Sequence, residues 1–284
     1  MALKSGGFLL LLLLGTSPGW PQERPSPPPS DLDLDRILRT AADYCRRLEN
    51  SALDFICLEE ITEKINLSRD IVSRKREFMR SMIWTPSDAI FNNNYLYDFQ
   101  YIRKAGEAKE TRLLLQINGR TVNRQETELR TTNFVFRDVL IGPVGVLSER
   151  SWFAYEYRIV GEDRLENIPV VILDVVPKPG MISDYLYGKV WLDKSRLDIL
   201  KIEWSQKRIG NFQVFDERAR RYKSEPRITL VSEFKVEKNG LRFPSRFFVE
   251  EAYVDENGKK FVHSATTVIY RDFKFFTVEV EVRQ

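Results

Sequence analysis

The spacing of apolar residues predicts one amphipathic helix near the start of the folded part of the chain. Apolar residues recur at three- and four-residue intervals over residues 34–48, which places them on one helix face. Ser30 can cap this helix, and Asp33 adds a carboxylate at its positive end. The segment that follows, residues 53–65, predicts a strand, although its pattern also fits a helix.

Alternating apolar and polar positions predict strands through most of the chain after Arg80. One face carries the aromatic residues of segment 95–101, and another carries those of segment 153–159. Asn-Gly pairs at 118–119, 239–240 and 257–258 stand between such runs, where tight hairpin turns need positive φ. The pattern therefore predicts an antiparallel meander of roughly nine to eleven strands.

Three segments depart from simple alternation. Residues 169–176 are apolar at successive positions, which indicates a central strand covered on both faces. Thr132–Arg150 predicts a short apolar helix broken at Gly142-Pro143, because proline cannot continue a helix. The charged stretch 216–223 is a second helix candidate, but we expect a solvated loop there. A terminal strand is expected over 276–282.

The N-terminal region has the pattern of an export signal. Lys4 precedes the apolar run 8–14, and small residues follow it, as in a secretory signal peptide over residues 1–19. An uncleaved anchor is the alternative. Residues 20–30 are proline-rich and predict an extended linker, which leaves residues 31–284 as one folded domain. The mature chain carries no further apolar run long enough to span a membrane.

Composition narrows the classes of protein further. The chain is 43% hydrophobic and 30% charged with a net charge of +3, so it is neither disordered nor basic enough to indicate nucleic-acid binding. A large antiparallel sheet must roll into a barrel or sandwich, or cover its apolar face with helices. An outer-membrane barrel is the rival, but charges such as Lys201 and Glu203 along the strands favour a soluble fold.

The residues predict no catalytic centre and no metal or cofactor site. His263 and Ser264 are neighbours on a predicted strand, so their side chains point to opposite faces and cannot form a direct catalytic pair. The same reasoning separates the acidic pairs Glu59-Glu60 and Glu250-Glu251, and solvated strand faces are expected for them. An unrecognised hydrolase would need convergent groups that the pattern does not contain.

The two cysteines, Cys45 and Cys57, stand in the predicted helix and in the strand after it. In an exported chain this even pair predicts a disulfide that joins the helix to the sheet. Two small buried apolar residues are the alternative.

One motif indicates a family. Val190, Trp191, Leu192 and Asp193 form a turn motif, and a strand with Leu200, Lys201, Ile202 and Glu203 follows it. Together with the order of signal, linker, amphipathic helix, long meander and broken apolar helix, this motif resembles the periplasmic lipoprotein-carrier superfamily, the LolA/LolB-like fold shared with RseB. The closing segment, Tyr270 to Val282, also resembles exported proteins of that superfamily.

The resemblance implies a mainly β (α+β) fold, in which a large curved antiparallel sheet forms an unclosed β-barrel with an N-terminal helix and a short helical lid. It implies a non-enzymatic periplasmic carrier or sensor of the bacterial envelope, whose partner is an acyl lipid or a lipoprotein. The alternative is a structural or regulatory module with a filled core that binds an envelope protein. The implied lid and cavity-wall residues are Tyr97, Phe99, Phe134, Phe136, Val139, Leu140, Val144, Leu147, Phe153, Tyr155 and Tyr157.

Overall fold

The computed structural model describes residues 33–51, 54–70, 89–104, 107–126, 129–131, 135–136, 142–181, 187–205 and 212–276. The predicted signal peptide and linker lie outside these residues. Helix α1 spans Leu34–Ser51 and helix α2 spans Phe212–Tyr222. The strands are β1 Asp54–Asn66, β2 Ile90–Lys104, β3 Glu107–Ile117, β4 Arg120–Glu126, β5 Leu129–Arg130, β6 Val135–Phe136, β7 Tyr155–Leu165, β8 Ile168–Pro177, β9 Gly188–Asp193, β10 Ile199–Trp204, β11 Glu225–Glu233, β12 Val236–Lys238, β13 Leu241–Phe243, β14 Arg246–Val254 and β15 Lys260–Phe275.

Eleven strands form one antiparallel sheet in the order β4-β3-β2-β1-β15-β14-β11-β10-β9-β8-β7. The long strand β15 lies in the middle of this order, paired with β1 on one side and β14 on the other. Strands β4 and β7 are the edge strands and do not pair with each other, so the sheet is not closed into a barrel. This architecture confirms the predicted fold class, a mainly β chain with an unclosed antiparallel sheet and an N-terminal helix.

Alternation along β1 defines the interior face of the sheet. Phe55, Cys57 and Ile61 are buried, whereas the intervening Glu60 and Thr62 are exposed. Helix α1 packs on the same face as these buried residues, because its apolar residues join them in one core cluster. We call this side of the sheet the interior face.

Helix α1 forms where the apolar spacing predicts it. Its buried side chains are Ile37, Leu38, Ala41, Ala42, Tyr44, Cys45 and Leu48. The observed cap is Asp33, whose Oδ1 accepts a hydrogen bond of 3.0 Å from the N–H of Asp35, and the predicted cap Ser30 lies outside the described residues. The strand predicted after the helix is confirmed as β1.

The structure corrects the prediction of a loop at residues 216–223, because most of this stretch belongs to helix α2. The segment from Thr132 to Arg150 is also different from the predicted apolar helix. Its described part contains the short strand β6, followed by 3₁₀ turns at Gly142–Leu147 and Glu149–Ser151. Pro143 therefore stands inside a tighter 3₁₀ turn instead of breaking an α-helix.

The predicted hairpins at Asn118-Gly119 and Asn239-Gly240 are confirmed, since both residues of each pair have positive φ and each pair joins two strands. At Asn257-Gly258 the glycine has positive φ, and its N–H donates to the carbonyl oxygen of Asp255 at 2.9 Å, which makes a longer connection. The hairpin between β7 and β8 turns at Glu166-Asn167, a pair that the glycine pattern does not indicate.

Strand β8 carries the predicted apolar run but does not have the central place expected for it. It lies next to the end strand β7 and is paired on both sides. Val171, Leu173 and Val175 are fully buried, and on the other face Val170 is also fully buried whereas Ile172, Asp174 and Val176 are half-buried. Most of the strand predicted over 276–282 lies outside the described residues.

Candidate functional site

Aromatic residues fill one end of the interior face, which we call the aromatic end. Phe55 of β1 is at its centre, with five aromatic rings at centroid distances of 5.4–6.3 Å. Those rings belong to Phe99, Tyr101, Phe243, Phe273 and Phe275. The predicted cavity-wall residues Tyr97 and Phe99 lie in this part of the core with relative exposures of 1% and 0%.

The segment 142–151 covers the interior face between α1 and β7. Leu147 is fully buried, and its carbonyl oxygen accepts a hydrogen bond of 3.2 Å from Nε1 of Trp152. The hydroxyl of Tyr157 donates to the carbonyl oxygen of Val146 at 2.8 Å. The turn Gly142–Leu147 also contacts α1. The bond from Tyr157 and the contact with α1 hold the described part of the predicted lid in place, whereas the bond from Trp152 is local to the segment.

The remaining predicted lid and wall residues divide into three groups. Phe134, Val139 and Leu140 lie outside the described residues, and the side chain of Phe136 is not described. Tyr155 is buried and Tyr157 is half-buried, both on the interior face of β7. Phe153 does not join them, because it precedes β7 and is 67% exposed.

Burial shows how the predicted wall is arranged in this conformation. A side chain that lines a water-sized cavity keeps accessible surface, whereas Tyr97, Phe99, Leu147 and Tyr155 are at most 3% exposed. These four side chains are in contact with protein on all sides. Entry of an acyl chain among them would therefore need a rearrangement of the core.

Half-buried apolar side chains lie near the two edges of the open sheet, where its strand order begins and finishes. On the interior face they include Tyr95 of β2 and Ile117 of β3 at one end, and Tyr157 and Ile159 of β7 at the other. In a closed barrel, side chains from strands on all sides fill the interior and would cover such positions. Near β3 and β7 the interior face is thus apolar and only partly covered.

The two cysteines correct the predicted disulfide. Cys45 and Cys57 are buried free thiols within the apolar core. Burial raises the pKa of both thiols well above the ordinary range, because a thiolate is unfavourable away from water. They act as small apolar side chains, which was the alternative interpretation.

The other end of the interior face is polar, and we call it the polar end. Glu251 of β14 is fully buried, and its carboxylate accepts hydrogen bonds of 2.7 and 2.9 Å from Nη1 of Arg218 in α2. The hydroxyl of Tyr253 donates to the same carboxylate at 2.5 Å, and that of Ser264 at 3.2 Å. Three groups, through four hydrogen bonds, therefore satisfy one buried charge.

A second buried ion pair connects β1 and β3. Nε of Arg112 is 2.7 Å from Glu59 Oε2, and Nη2 of Arg112 is 3.0 Å from Glu110. The guanidinium also lies 4.7 Å from the centroid of the Phe99 ring. Burial, the largest single effect, would lower the pKa of Arg112, but the charge and hydrogen bond of Glu59 together with the charge of Glu110 raise the pKa above its usual range.

These buried carboxylates overturn the expectation that the neighbouring acidic pairs lie on solvated faces. Glu59, Glu63 and Glu251 are all fully buried, whereas Glu60 is exposed. The pattern of β1 contains a clue, since Glu59 and Glu63 occupy the same alternate positions as buried Phe55, Cys57 and Ile61. Their partners, 53 residues away for Glu59 and 33 for Glu251, give no local sign of pairing.

His263 lies beside the polar end at an irregular position of β15. The register between β14 and β15 shifts after Glu251, so His263 and Ser264 are both buried despite being neighbours. They do not form a catalytic pair, because the Ser264 hydroxyl donates to Glu251. Neither ring nitrogen of His263 has a hydrogen-bond partner among the described residues.

The turn of the family motif has a structural role. Oδ1 of Asp193 accepts hydrogen bonds from the N–H of Ser195 at 2.8 Å and from its hydroxyl at 2.6 Å. Arg242 of β13 lies 3.8 Å from Asp193 and 3.9 Å from buried Asp198. Tyr44 of α1 donates to the carbonyl oxygen of Arg242 at 2.7 Å. The motif therefore joins the β9–β10 turn to the β12–β13 hairpin and α1.

The described residues contain no group of three or more His, Cys, Asp or Glu side chains arranged to hold a metal ion. No helix formed by them is long and apolar enough to cross a membrane.

The sequence matches no protein-family model and no curated protein. Solved structures with similar folds include an outer membrane lipoprotein-sorting protein domain from Vibrio parahaemolyticus, at 13% identity and a TM-score of 0.46, covering 88% of this chain and 96% of that one. A LolA superfamily protein from Nitrosomonas europaea matches at 11% identity and 0.36, covering 87% and 96%. The MucA/MucB complex of Pseudomonas aeruginosa matches at 11% identity and 0.22, covering 84% and 99%.

At 11–13% identity, each of these matches is a likeness of fold alone.

Proposed function

We propose that this protein is a non-enzymatic binding protein of the bacterial envelope that holds an acyl lipid, or the acyl chains of a lipoprotein, on the interior face of its open sheet. The observation that carries the proposal is the combination of an unclosed sheet with apolar side chains on its interior face that are only partly covered near the two edges, at β3 and β7. Ligand sites in proteins are mostly apolar with few polar groups, and an acyl chain matches such a surface.

The covering segment is the part of the structure that would have to move for a ligand to enter. The 142–151 segment is fixed to β7 through the hydroxyl of Tyr157, and it buries Val144, Val146 and Leu147 in the core. A bound acyl chain would replace the apolar contacts that these side chains lose when the segment moves aside.

A periplasmic location is part of the proposal. Its support is the apolar run at residues 8–14 with Lys4 before it, and the proline-rich linker that follows. Measuring the mass of the protein recovered from the periplasm of a bacterial host would give the N-terminus. A mass that corresponds to loss of about 19 residues supports export, and an intact N-terminus in the cytoplasm contradicts it.

A second candidate function is a protein-interaction module with a filled core. The near-complete burial of Tyr97, Phe99, Leu147 and Tyr155 favours it, because a core that is already filled has no room for a ligand. On this alternative the partner is an envelope protein that binds the outside of the fold.

Native mass spectrometry combined with lipid extraction separates the two candidates. The carrier proposal expects a bound mass in the range of an acyl lipid, lost on extraction and regained after incubation with phospholipid or acylated peptide. A ligand-free mass that does not change after incubation contradicts it and favours the interaction module.

A matched pair of variants in β7 then tests the location. Ile159→Asp places a charge on the half-buried interior face, whereas Val160→Asp places it at the next position, which is 46% exposed. We expect Ile159→Asp to reduce lipid retention by about tenfold or more, since burying a carboxylate beside an acyl chain is costly. Val160→Asp should retain lipid, and equal loss in both variants would contradict binding on the interior face.

A further inference from the structure

Helix α2 covers the polar end of the interior face through both apolar and polar contacts. Among its described side chains, Phe215 and Ala219 are buried, and Val214 is 44% exposed. Arg218 adds a buried ion pair with Glu251. At the end of the helix, Arg221 pairs with Asp70 at 2.9 Å.

The C-terminal end of α2 lies over His263. The ring of Tyr222 contacts His263 edge-on at 6.3 Å and Tyr253 at 4.9 Å, measured between centroids. His263 is fully buried, and both of its ring nitrogens lack hydrogen-bond partners among the described residues. A buried polar group without a partner is costly, so this position is unusual in the interior of a protein.

The groups that surround His263 have both signs of charge. Asp70, in the helical turn at residues 68–70, has its Oδ2 3.7 Å from Nε2 of His263. Glu251 and Tyr253 approach from β14, and Arg218 approaches from α2. On the other side a groove of about 500 Å³ is lined in part by His263; its charged residues are Lys64 and Lys260.

We propose that α2 is a pH-sensitive cover, which leaves the polar end of the interior face when His263 becomes protonated. In the closed form the imidazolium would be buried with Arg218 nearby, whereas in the open form the ring is exposed to solvent. Oδ1 of the nearest carboxylate, Asp70, is paired with Arg221 while its Oδ2 faces His263, so Arg221 offsets part of the negative charge that would favour the imidazolium.

The direction of the pH effect follows from linkage. Burial lowers the pKa of His263 below its ordinary value of 6.5, and Arg218 lowers it further, although Glu251 and Asp70 act in the opposite sense. The open form has the ordinary pKa and therefore takes up a proton first as the pH falls. The ratio of open to closed form then rises up to about tenfold for each pH unit below 6.5, until the closed form is also protonated.

NMR titration of His263 is the first test. The chain has 1 histidine, so with a histidine-free tag its ring Hε1 signal is unambiguous. The proposal expects the midpoint of the titration below 6.5, with the signals of Tyr222 and Tyr253 changing over the same pH range. A midpoint at or above 6.5 overturns the proposal.

Hydrogen exchange followed by mass spectrometry supplies the second test. After correction for intrinsic exchange rates, the amides of α2 should lose about tenfold in protection between pH 7 and pH 5.5, whereas those of α1 should not change. The neutral variants His263→Phe and His263→Gln should remove this dependence on pH, and two substitutes are used because one of them can fail to fold. Protection of α2 that is independent of pH in the parent, or equally dependent on pH in the variants, overturns the proposal.

This inference does not depend on what the interior face binds. A protein that fails the lipid test can still show a pH-sensitive α2, and a lipid-binding protein can show an α2 that does not respond to pH.

Discussion

Helices α1 and α2 cover opposite ends of the same interior face, but different interactions hold them. Helix α1 buries a continuous apolar face that ends at Leu48 and lies against the aromatic end. Among its described side chains helix α2 buries only two apolar residues, Phe215 and Ala219, and it is held in addition by the buried pair of Arg218 with Glu251 and by the edge contacts of Tyr222. Apolar burial is lost only when the helix leaves the sheet, whereas polar contacts can be replaced by water. The comparison indicates that α1 is part of the permanent core and that α2 can separate from it.

The largest effect is expected from Leu48→Ala in α1. Leu48 is fully buried, so the substitution removes apolar contacts and leaves a cavity, and the free energy of unfolding should fall by about 3 kcal/mol. Chemical denaturation measures this change. Leu34→Ala is the control, because Leu34 is only half-buried and should lose about 1 kcal/mol. Equal losses would mean that the apolar face of α1 is not its anchor.

A smaller and more local effect is expected from Glu251→Gln. The substitution removes the charge that holds Arg218, which should destabilise the attachment of α2 by about 2 kcal/mol. Hydrogen exchange should show reduced protection of the α2 amides before any reduction appears in α1. Glu250→Gln is the matched control on the opposite face, where the pair with Lys260 is partly exposed and contributes under about 1 kcal/mol. A loss spread evenly over both helices would contradict a local role.

The smallest effect is expected from Val214→Ala in α2. Val214 is 44% exposed, and the stability should stay within about 0.5 kcal/mol of the parent value. A nearly unchanged midpoint of thermal unfolding, together with unchanged hydrogen exchange in α2, would agree with this small change in stability. A marked loss would show that α2 has an apolar anchor through this residue.

The same comparison explains which elements could be predicted from the sequence. The apolar spacing of α1 and the alternation of β1 result from burial, and both predictions are confirmed. The stretch 216–223 is a helix candidate that was predicted as a solvated loop, because it is charged and leaves out Phe215, the buried apolar residue just before it. Glu251, the partner of Arg218, is 33 residues away, and no local pattern indicates such a pairing.

The turns and the candidate site also divide into features that have a local sequence signal and features that do not. The hairpins at Asn118-Gly119 and Asn239-Gly240 were predicted, since positive φ favours these residue types. The turn at Glu166-Asn167 was missed because the strands on either side impose positive φ on a glutamate. The burial of Glu59 could have been inferred from its alternation with Phe55, Cys57 and Ile61, but charge argued against it.

Native-state hydrogen exchange at low denaturant concentration tests the central claim most directly. The account predicts that the amides of α2 exchange through an opening whose free energy is well below that of global unfolding, while those of α1 exchange only with the core strands. If α1 and α2 share one opening free energy at neutral pH, the two helices belong to the same cooperative unit and the account is wrong.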